Sequence, residues 1–196
     1  MSNLEKDRIA LFGTSADPPT IGHKKILEEL SKIYPFIITY VSNNPKKRHK
    51  ENMSNRSLLL RTLIEDLKNP KIIFNQKISS QWAIDSIKKT KEIYGCNSLD
   101  FVIGSDLIAD IFYWKTFNEI VKEAGFLIIK REGYPIKSKD IQTLNKNNVN
   151  FKISTLNIPK ISSSMVRVNT CSSNLPISLI DIVKKNNLYI SSKLVE

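Results

Sequence analysis

The sequence predicts an α/β protein with a Rossmann-like, doubly wound and mostly parallel sheet that carries helices on both faces. Apolar runs of strand length alternate with amphipathic stretches of helix length, and no internal repeat is visible. Small or polar motifs follow five of the apolar runs. Because ligands of such sheets bind beyond the carboxyl ends of the strands, these motifs are expected to line one crevice, at Gly13, Asn43, Gly104, Arg131 and Ser162.

The predicted strands are the apolar runs at residues 9–12, 36–41, 71–75, 100–103, 126–130 and 151–154. A first helix is predicted to open at Gly22-His23, because apolar residues share one helical face at Ile26, Leu27, Leu30, Ile33 and Tyr34. Two more helices are predicted over 55–67 and 82–94, the second capped by Gly95. The polar stretch 133–150 predicts either a loop or a short surface helix. The length fits a single domain, 1–196.

The chain is strongly basic, with 30 Lys and Arg against 19 Asp and Glu and a formal net charge of +11. Such a charge is also the electrostatic footprint of nucleic-acid binding. Here the lysine runs at 46–50, 88–91 and 184–185 lie in different segments, and no RNA-binding aromatic motif accompanies them. A lysine-rich surface suited to polyanionic substrates or a genome-wide codon bias explains these lysines equally well, and no nucleic-acid partner is expected.

Targeting and metal-binding signals are not visible in the sequence. The longest apolar runs are strand-length and no apolar signal segment follows Met1, so a cytoplasmic protein without membrane association is expected. Cys96 and Cys171 lie far apart without a CxxC motif or a histidine cluster, so neither a disulfide framework nor a zinc site is predicted. The sequence leaves open whether the chain forms a homo-oligomer.

The segment LFGTSADPPTIGH near the N-terminus joins the end of a predicted strand, a turn of phosphate size and the start of a helix. Gly13, followed by the small residues Thr14 and Ser15, lets backbone N–H groups approach an anion, and the helix N-terminus attracts phosphate. Thr20 and His23 are three residues apart and can face one site, where the imidazole can donate to phosphate oxygens. This segment predicts a triphosphate site.

Two motifs resemble the signatures of one enzyme superfamily. Thr20-Ile21-Gly22-His23 resembles the (H/T)xGH motif of nucleotidyltransferases, and ISSSMVR, from Ile161 to Arg167, resembles their ISSTxxR motif. Each motif is weak alone, but the pair at opposite ends of one Rossmann-like domain is a strong signal. Nearly the whole chain is similar to the bacterial nicotinate mononucleotide adenylyltransferases, most clearly in the blocks 42–50, 101–115, 126–135 and 175–189.

The resemblance implies transfer of AMP from ATP to nicotinate mononucleotide, which gives deamido-NAD and pyrophosphate in NAD biosynthesis. ATP and a pyridine mononucleotide are the implied substrates, and Mg²⁺ is implied as an ion carried with ATP. The phosphate of the mononucleotide is already ionised and attacks the α-phosphorus of ATP directly. Such an enzyme needs no protein nucleophile, because it aligns two polyanions and stabilises charge on the departing pyrophosphate.

The resemblance also implies roles for individual residues. The implied catalytic residues are Thr20, His23 and Arg167. The implied ATP contacts are Gly13, Thr14, Ser15, Gly104, Asp106, Ile161, Ser162, Ser163 and Ser164, and the C-terminal helices from about residue 160 would complete this site. The implied mononucleotide contacts are Asn44, Lys47, Trp82, Trp114 and Arg131. Trp114 would stack on the pyridine ring, whereas the sequence does not rank Lys46, Lys47 and Arg131 as phosphate ligands.

Some alternatives remain open at this point. Ala83 stands where many family members have a threonine expected to contact the pyridine substituent, which keeps open a sister enzyme acting on nicotinamide mononucleotide or phosphopantetheine. A non-catalytic nucleotide-binding or RNA-binding protein of the same fold is a further alternative, and the intact His23 and Arg167 count against it. Asp106 could instead cap the next helix, and Trp114 could belong to the core.

Overall fold

The computed structural model describes residues 8–45, 47–158, 161–169 and 174–189 and has the predicted α/β architecture. Its strands form one parallel sheet in the order β3-β2-β1-β4-β5-β6. They are β1 (Arg8–Thr14), β2 (Phe36–Val41), β3 (Ile72–Phe74), β4 (Ser98–Gly104), β5 (Gly125–Arg131) and β6 (Phe151–Ile158). Lys46 and Cys171 lie outside the described residues.

Helices cover both faces of the sheet, as predicted. They are α1 (Ile21–Ile33), α2 (Met53–Leu67), α3 (Ala83–Tyr94), α4 (Phe117–Glu123), α5 (Ser138–Lys146), α6 (Ser163–Asn169) and α7 (Ile177–Lys185). Successive strand residues point to opposite faces. Ala10 and Phe12 of β1 therefore join a core with α1, α2 and α7, whereas Leu11 joins a second core with α3, α4 and α5.

The predicted elements agree with the observed ones to within a few residues. Gly95 has a positive φ of 61° at the end of α3, which is the left-handed cap expected there. The stretch 133–150, for which the sequence left a loop or a helix open, contains α5. The sequence did not predict α4 or the 3-10 turns at Ser105–Leu107 and Ile111–Tyr113, because these elements are too short to show a helical period.

The order of the strands creates a crevice beside β1. From β1 the chain builds outward through β2 and β3, and it then crosses to the other side of β1 to add β4, β5 and β6. The loops that leave the carboxyl ends of β1 and β4 thus run in opposite directions, which opens a binding site between them. Within the described ranges, no helix is long and apolar enough to cross a membrane.

Candidate active site

A cavity of about 1190 Å³ occupies this crevice. Its lining includes all the residues that the sequence nominated for catalysis, for ATP and for the mononucleotide. The five motifs that follow predicted strands also meet there, from Gly13, Asn43, Gly104, Arg131 and Ser162. The structure thus brings the nominated residues together, while the role of each one stays a prediction.

His23 joins the end of β1 to the start of α1. Its Nδ1 accepts a hydrogen bond from the backbone N–H of Thr20 at 3.0 Å and lies 2.9 Å from Thr20 Oγ1. Its Nε2 lies 2.9 Å from Thr14 Oγ1. Thr20 is the N-cap residue of α1, so one turn of chain holds both side chains at the cavity.

The protonation state of His23 follows from this environment. Burial and then the positive charge of Arg131 lower the pKa of His23 to about 4, so the imidazole is neutral at pH 7. Because Nδ1 accepts from the Thr20 N–H, the single ring proton is assigned to Nε2. The cavity therefore has a neutral N–H donor beside the end of β1.

Gly13 has a structural role that the sequence did not reveal. A Cβ at this position would lie 2.6 Å from Cζ of Tyr40, which is buried on β2. Burial also raises the pKa of Tyr40 to about 12. The close approach that Gly13 permits in this structure is to the Tyr40 ring, so a larger residue would displace that ring from the wall of the cavity.

Arg167 ties α6 to the loop that follows β1. Its Nη1 donates to the carbonyl oxygen of Asp17 and lies 3.6 Å from Asp17 Oδ2, and its Nη2 donates to Ser164 Oγ at 3.0 Å. Asp17 is only 3% exposed, and its carboxylate also accepts from the backbone N–H groups of Lys50 and Glu51 at 2.7 and 3.2 Å. Asp17 therefore links α6 to the loop between β2 and α2.

The serine run before Arg167 also has partners within the protein. Ser162 Oγ accepts from the backbone N–H of Met165 at 3.2 Å and so caps α6, while Ser163 Oγ donates to the carbonyl of Pro18 at 2.8 Å. Ser164 Oγ accepts from Arg167, and Ile161 lines the cavity beside the three serines. These bonds hold α6 against the loop after β1, where the run borders the same cavity as His23.

Gly104 and Asp106 form the β4 side of the cavity. Asp106 Oδ2 accepts from Arg131 Nη1 at 2.7 Å, and Asp106 Oδ1 is buried without a hydrogen-bond partner among the described residues. A Cβ on Gly104 would lie 2.3 Å from that oxygen, so glycine is what lets the carboxylate pack against the end of β4. The Asp106 carboxylate thus pairs with Arg131 and caps no helix among the described residues, which argues against the capping alternative.

Trp82 and Trp114 line another side of the cavity, and together they are called the aromatic wall. The Trp114 ring packs edge-on against Phe101, with centroids 5.9 Å apart, and contributes to the second core. Trp114 is therefore both a core residue and a cavity residue. Trp82 precedes α3, and Lys115 Nζ lies 4.7 Å from the centroid of its ring.

The loop after β2 supplies polar and basic groups to the cavity. Asn44, Lys47, Arg48 and His49 all line it, and the side chains of Lys47 and Arg48 are exposed. His49 Nδ1 lies 3.8 Å from Asp17 Oδ2, and its buried Nε2 has no hydrogen-bond partner among the described residues. Burial, and then the charge of Arg56, lower the pKa of His49.

Sequence reasoning missed Asp17, His49 and Arg56. Arg56 is 2% exposed and donates from Nη1 to the carbonyls of Ser15 at 2.8 Å and Ser42 at 3.3 Å, which joins the loops after β1 and β2. One signal was visible in the sequence. Arg56 lies three and four residues before buried leucines of α2, so it is an arginine on the apolar face of a helix.

Comparison with known proteins places the chain among nucleotidyltransferases. The cytidylyltransferase-like family profile matches residues 11–169. A Synechocystis sp. protein named "Probable nicotinate-nucleotide adenylyltransferase" is 26% identical over 93% of this chain and 98% of its own. A Pelagibacter ubique protein of the same name is 30% identical over 84% of this chain and 94% of its own. The structure matches Plasmodium falciparum nicotinic acid mononucleotide adenylyltransferase complexed with NaAD, with a TM-score of 0.77, 25% identity and coverage of 93% and 97% of the two chains.

Proposed function

The chain belongs to the cytidylyltransferase-like family and, within it, to the nicotinate-nucleotide adenylyltransferases, and from that premise we propose that it transfers AMP from ATP to nicotinate mononucleotide. The products are deamido-NAD and pyrophosphate, so the reaction is a step of NAD biosynthesis. The observation that carries the proposal is the shared cavity, which joins the phosphate-binding groups around His23 to the aromatic wall. A nucleoside triphosphate fits the first region and a flat heterocycle fits the second.

The reaction is an in-line displacement at phosphorus. A 5'-phosphate oxygen of the mononucleotide forms a bond to the α-phosphorus of ATP, and the bond from that phosphorus to the bridging oxygen of pyrophosphate breaks. His23 Nε2–H donates to the phosphates as a neutral group, and the N-terminus of α1 adds a partial positive charge. Arg167 stabilises the negative charge that develops on the leaving pyrophosphate.

Mg²⁺ would enter this site with ATP. Among the described residues there is no group of three or more His, Cys, Asp or Glu side chains suited to hold a metal ion. Two carboxylates of the cavity lining, Asp17 and Asp106, are paired with Arg167 and Arg131. A magnesium ion coordinated by triphosphate oxygens fits this arrangement, and it would neutralise part of the phosphate charge during transfer.

The acceptor would occupy the side of the cavity between the loop after β2 and the aromatic wall. Asn44, Lys47 and Arg131 provide donors for its phosphate, and Trp114 provides a face for the pyridine ring. We also propose a cytoplasmic location for this reaction. A sister activity toward nicotinamide mononucleotide is the second candidate, since the methyl side chain of Ala83 has no polar atom with which to contact the ring substituent.

The experiment is a pyrophosphate-release assay of the purified protein with ATP and Mg²⁺. Nicotinate mononucleotide, nicotinamide mononucleotide and phosphopantetheine are compared as acceptors, and a His23→Ala protein purified in parallel controls for contaminating enzymes. Release with nicotinate mononucleotide as the preferred acceptor supports the proposal. Preference for another acceptor identifies the sister enzyme, and ATP binding without release from any acceptor identifies a non-catalytic protein.

A further inference from the structure

We propose that the Lys115 ammonium recognises the carboxylate that distinguishes nicotinate mononucleotide from nicotinamide mononucleotide. Lys115 would then be the specificity-determining residue of the acceptor site. The inference rests on the proposed function and deepens it, because it names the group that selects the acid form of the pyridine ring.

The position of Lys115 carries the first step. Lys115 follows Trp114 directly and lines the cavity, and its Nζ lies 4.7 Å from the centroid of the Trp82 ring. A cation over an aromatic face is attracted by the ring quadrupole, which holds the ammonium near the aromatic wall. A pyridine ring placed against that wall would carry its substituent close to this charge.

The side chain of the neighbouring residue on α3 cannot recognise a polar substituent. Ala83 lines the cavity next to Trp82, and a methyl side chain neither donates nor accepts a hydrogen bond. Side-chain recognition of a polar ring substituent at this wall must therefore come from another residue. Lys115 supplies both a positive charge and three N–H donors there.

The other cations of the cavity are either paired with a carboxylate or carried by a different loop. Arg131 is paired with Asp106 at 2.7 Å and Arg167 with Asp17 at 3.6 Å. Lys47 and Arg48 lie on the separate loop after β2.

Within the described part of the chain, by contrast, no carboxylate oxygen lies within 4.0 Å of Lys115 Nζ. Two lysines of α3 differ from it in this respect, since Lys88 and Lys91 pair with Glu119 and Glu123 at 2.9 and 2.8 Å. The positive charge of Lys115 is therefore not neutralised by an ion pair with any described residue.

The chemistry of the two acceptors gives the expected size of the effect. Nicotinate mononucleotide carries a ring carboxylate where nicotinamide mononucleotide carries a neutral carboxamide. A charge-assisted hydrogen bond is roughly twice as strong as a neutral one, so an ammonium at this place discriminates between the two by about tenfold to 100-fold.

The test is the selectivity of Lys115→Met, measured as the ratio of kcat/KM for nicotinate mononucleotide to kcat/KM for nicotinamide mononucleotide. We expect this ratio to fall about tenfold to 100-fold through a higher KM for the nicotinate form, with kcat/KM for the nicotinamide form nearly unchanged. Lys115→Arg keeps the charge and should keep most of the selectivity. Lys89→Met is the matched control, because Lys89 is an exposed lysine of α3 outside the cavity.

Two results overturn the inference. One is a selectivity ratio of Lys115→Met within about twofold of the native ratio. The other is an equal loss of kcat/KM for both acceptors, which would mean that Lys115 contacts a part of the mononucleotide that both acceptors have in common. Calorimetric titration with each mononucleotide separates this outcome from failure of the proposed function, since it needs no turnover. A native protein that binds both forms equally contradicts the role of Lys115 even if it is an active adenylyltransferase. A native preference that Lys115→Met abolishes supports that role even if turnover is absent.

Discussion

The two halves of the cavity are built in different ways. The half around His23 and Arg167 is held by hydrogen bonds to backbone groups, among them Thr20 N–H to His23 and Arg167 to the Asp17 carbonyl. The half around the aromatic wall is built from flat rings, an edge-on contact between Trp114 and Phe101, and a lysine without an ion pair among the described residues. The first half is therefore preorganised by hydrogen bonds, whereas the second provides aromatic surface and a positive charge.

This difference separates the expected effects of mutation. Donors that are already oriented stabilise a transition state without reorganisation, so their loss lowers kcat. Aromatic faces and long cations contribute binding energy that is similar in the ground state and the transition state, so their loss raises KM. Substitutions in the two halves should therefore give different kinetic signatures, and that expectation can be tested.

The largest effect is expected from His23→Ala. Removing the Nε2–H donor should lower kcat by about 100-fold or more, because a transition-state hydrogen bond to phosphate is lost. His23→Gln keeps an N–H donor on a side chain of similar reach and should recover part of the rate. Steady-state kinetics with nicotinate mononucleotide measure both variants. A His23→Ala enzyme of near-normal kcat would show that the network around His23 serves only to shape the loop.

Arg167→Ala is expected to lower kcat by about 100-fold, since a cation that faces the leaving pyrophosphate is removed. This substitution also removes the bond from α6 to Asp17, so thermal unfolding should be measured alongside the kinetics. Arg61→Ala is the matched control, because Arg61 is an exposed arginine of α2 that stacks on Phe74 at 5.3 Å. If both variants retain the native rate, the Arg167 assignment is wrong.

Much of the sheet could be predicted from the sequence, because local patterns determine it. The apolar runs at 9–12 and 36–41 lie within β1 and β2. The small residues that follow each run mark where a ligand can approach. Helix α4 was missed because it is only seven residues long and begins after Thr116, whose positive φ of 57° no local pattern predicts. Its place depends on burial of Ile120 against the second core.

The connections inside the site could not be predicted for a related reason. Asp17 accepts a hydrogen bond from the N–H of Lys50, and Arg56 donates one to the carbonyl of Ser15, although the partners are 33 and 41 residues apart in the chain. Backbone groups carry no sequence signal for such partners. Gly13 is a similar case, since the anion-binding pattern predicts a glycine for reasons that do not involve the Tyr40 ring.

Trp114→Ala should produce the signature of the acceptor half. We expect KM for nicotinate mononucleotide to rise about tenfold through loss of stacking, while KM for ATP stays nearly the same. Trp114→Phe keeps a flat ring and the contact with Phe101, so it should lie between the native and alanine enzymes. Equal increases in both Michaelis constants would mean that Trp114 acts through the core and that the two halves are not independent.

The smallest expected effect is the pH dependence that comes from His23, and it tests the half of the cavity that contains this residue. Its pKa is about 4 in the folded protein against an ordinary 6.5, so its charge does not change between pH 6 and 8, and it should contribute no pH dependence to kcat in that range. The free energy of unfolding, by contrast, should fall on acidification. The contribution of His23 to it is fully present above pH 6.5 and is lost as the pH falls toward 4, because the unfolded chain takes up the proton first.

Urea unfolding at pH 7.5, 6 and 5 measures this contribution. The pKa of His49 is also lowered and carboxylates titrate in the same range, so the comparison is between the native protein and His23→Gln, which share all those groups. The native protein should lose more of its free energy of unfolding on acidification than the variant does. Equal losses would mean that His23 titrates normally, and a charged imidazole at pH 6 would then be a binding group of the same kind as Lys115 instead of a neutral, fixed donor.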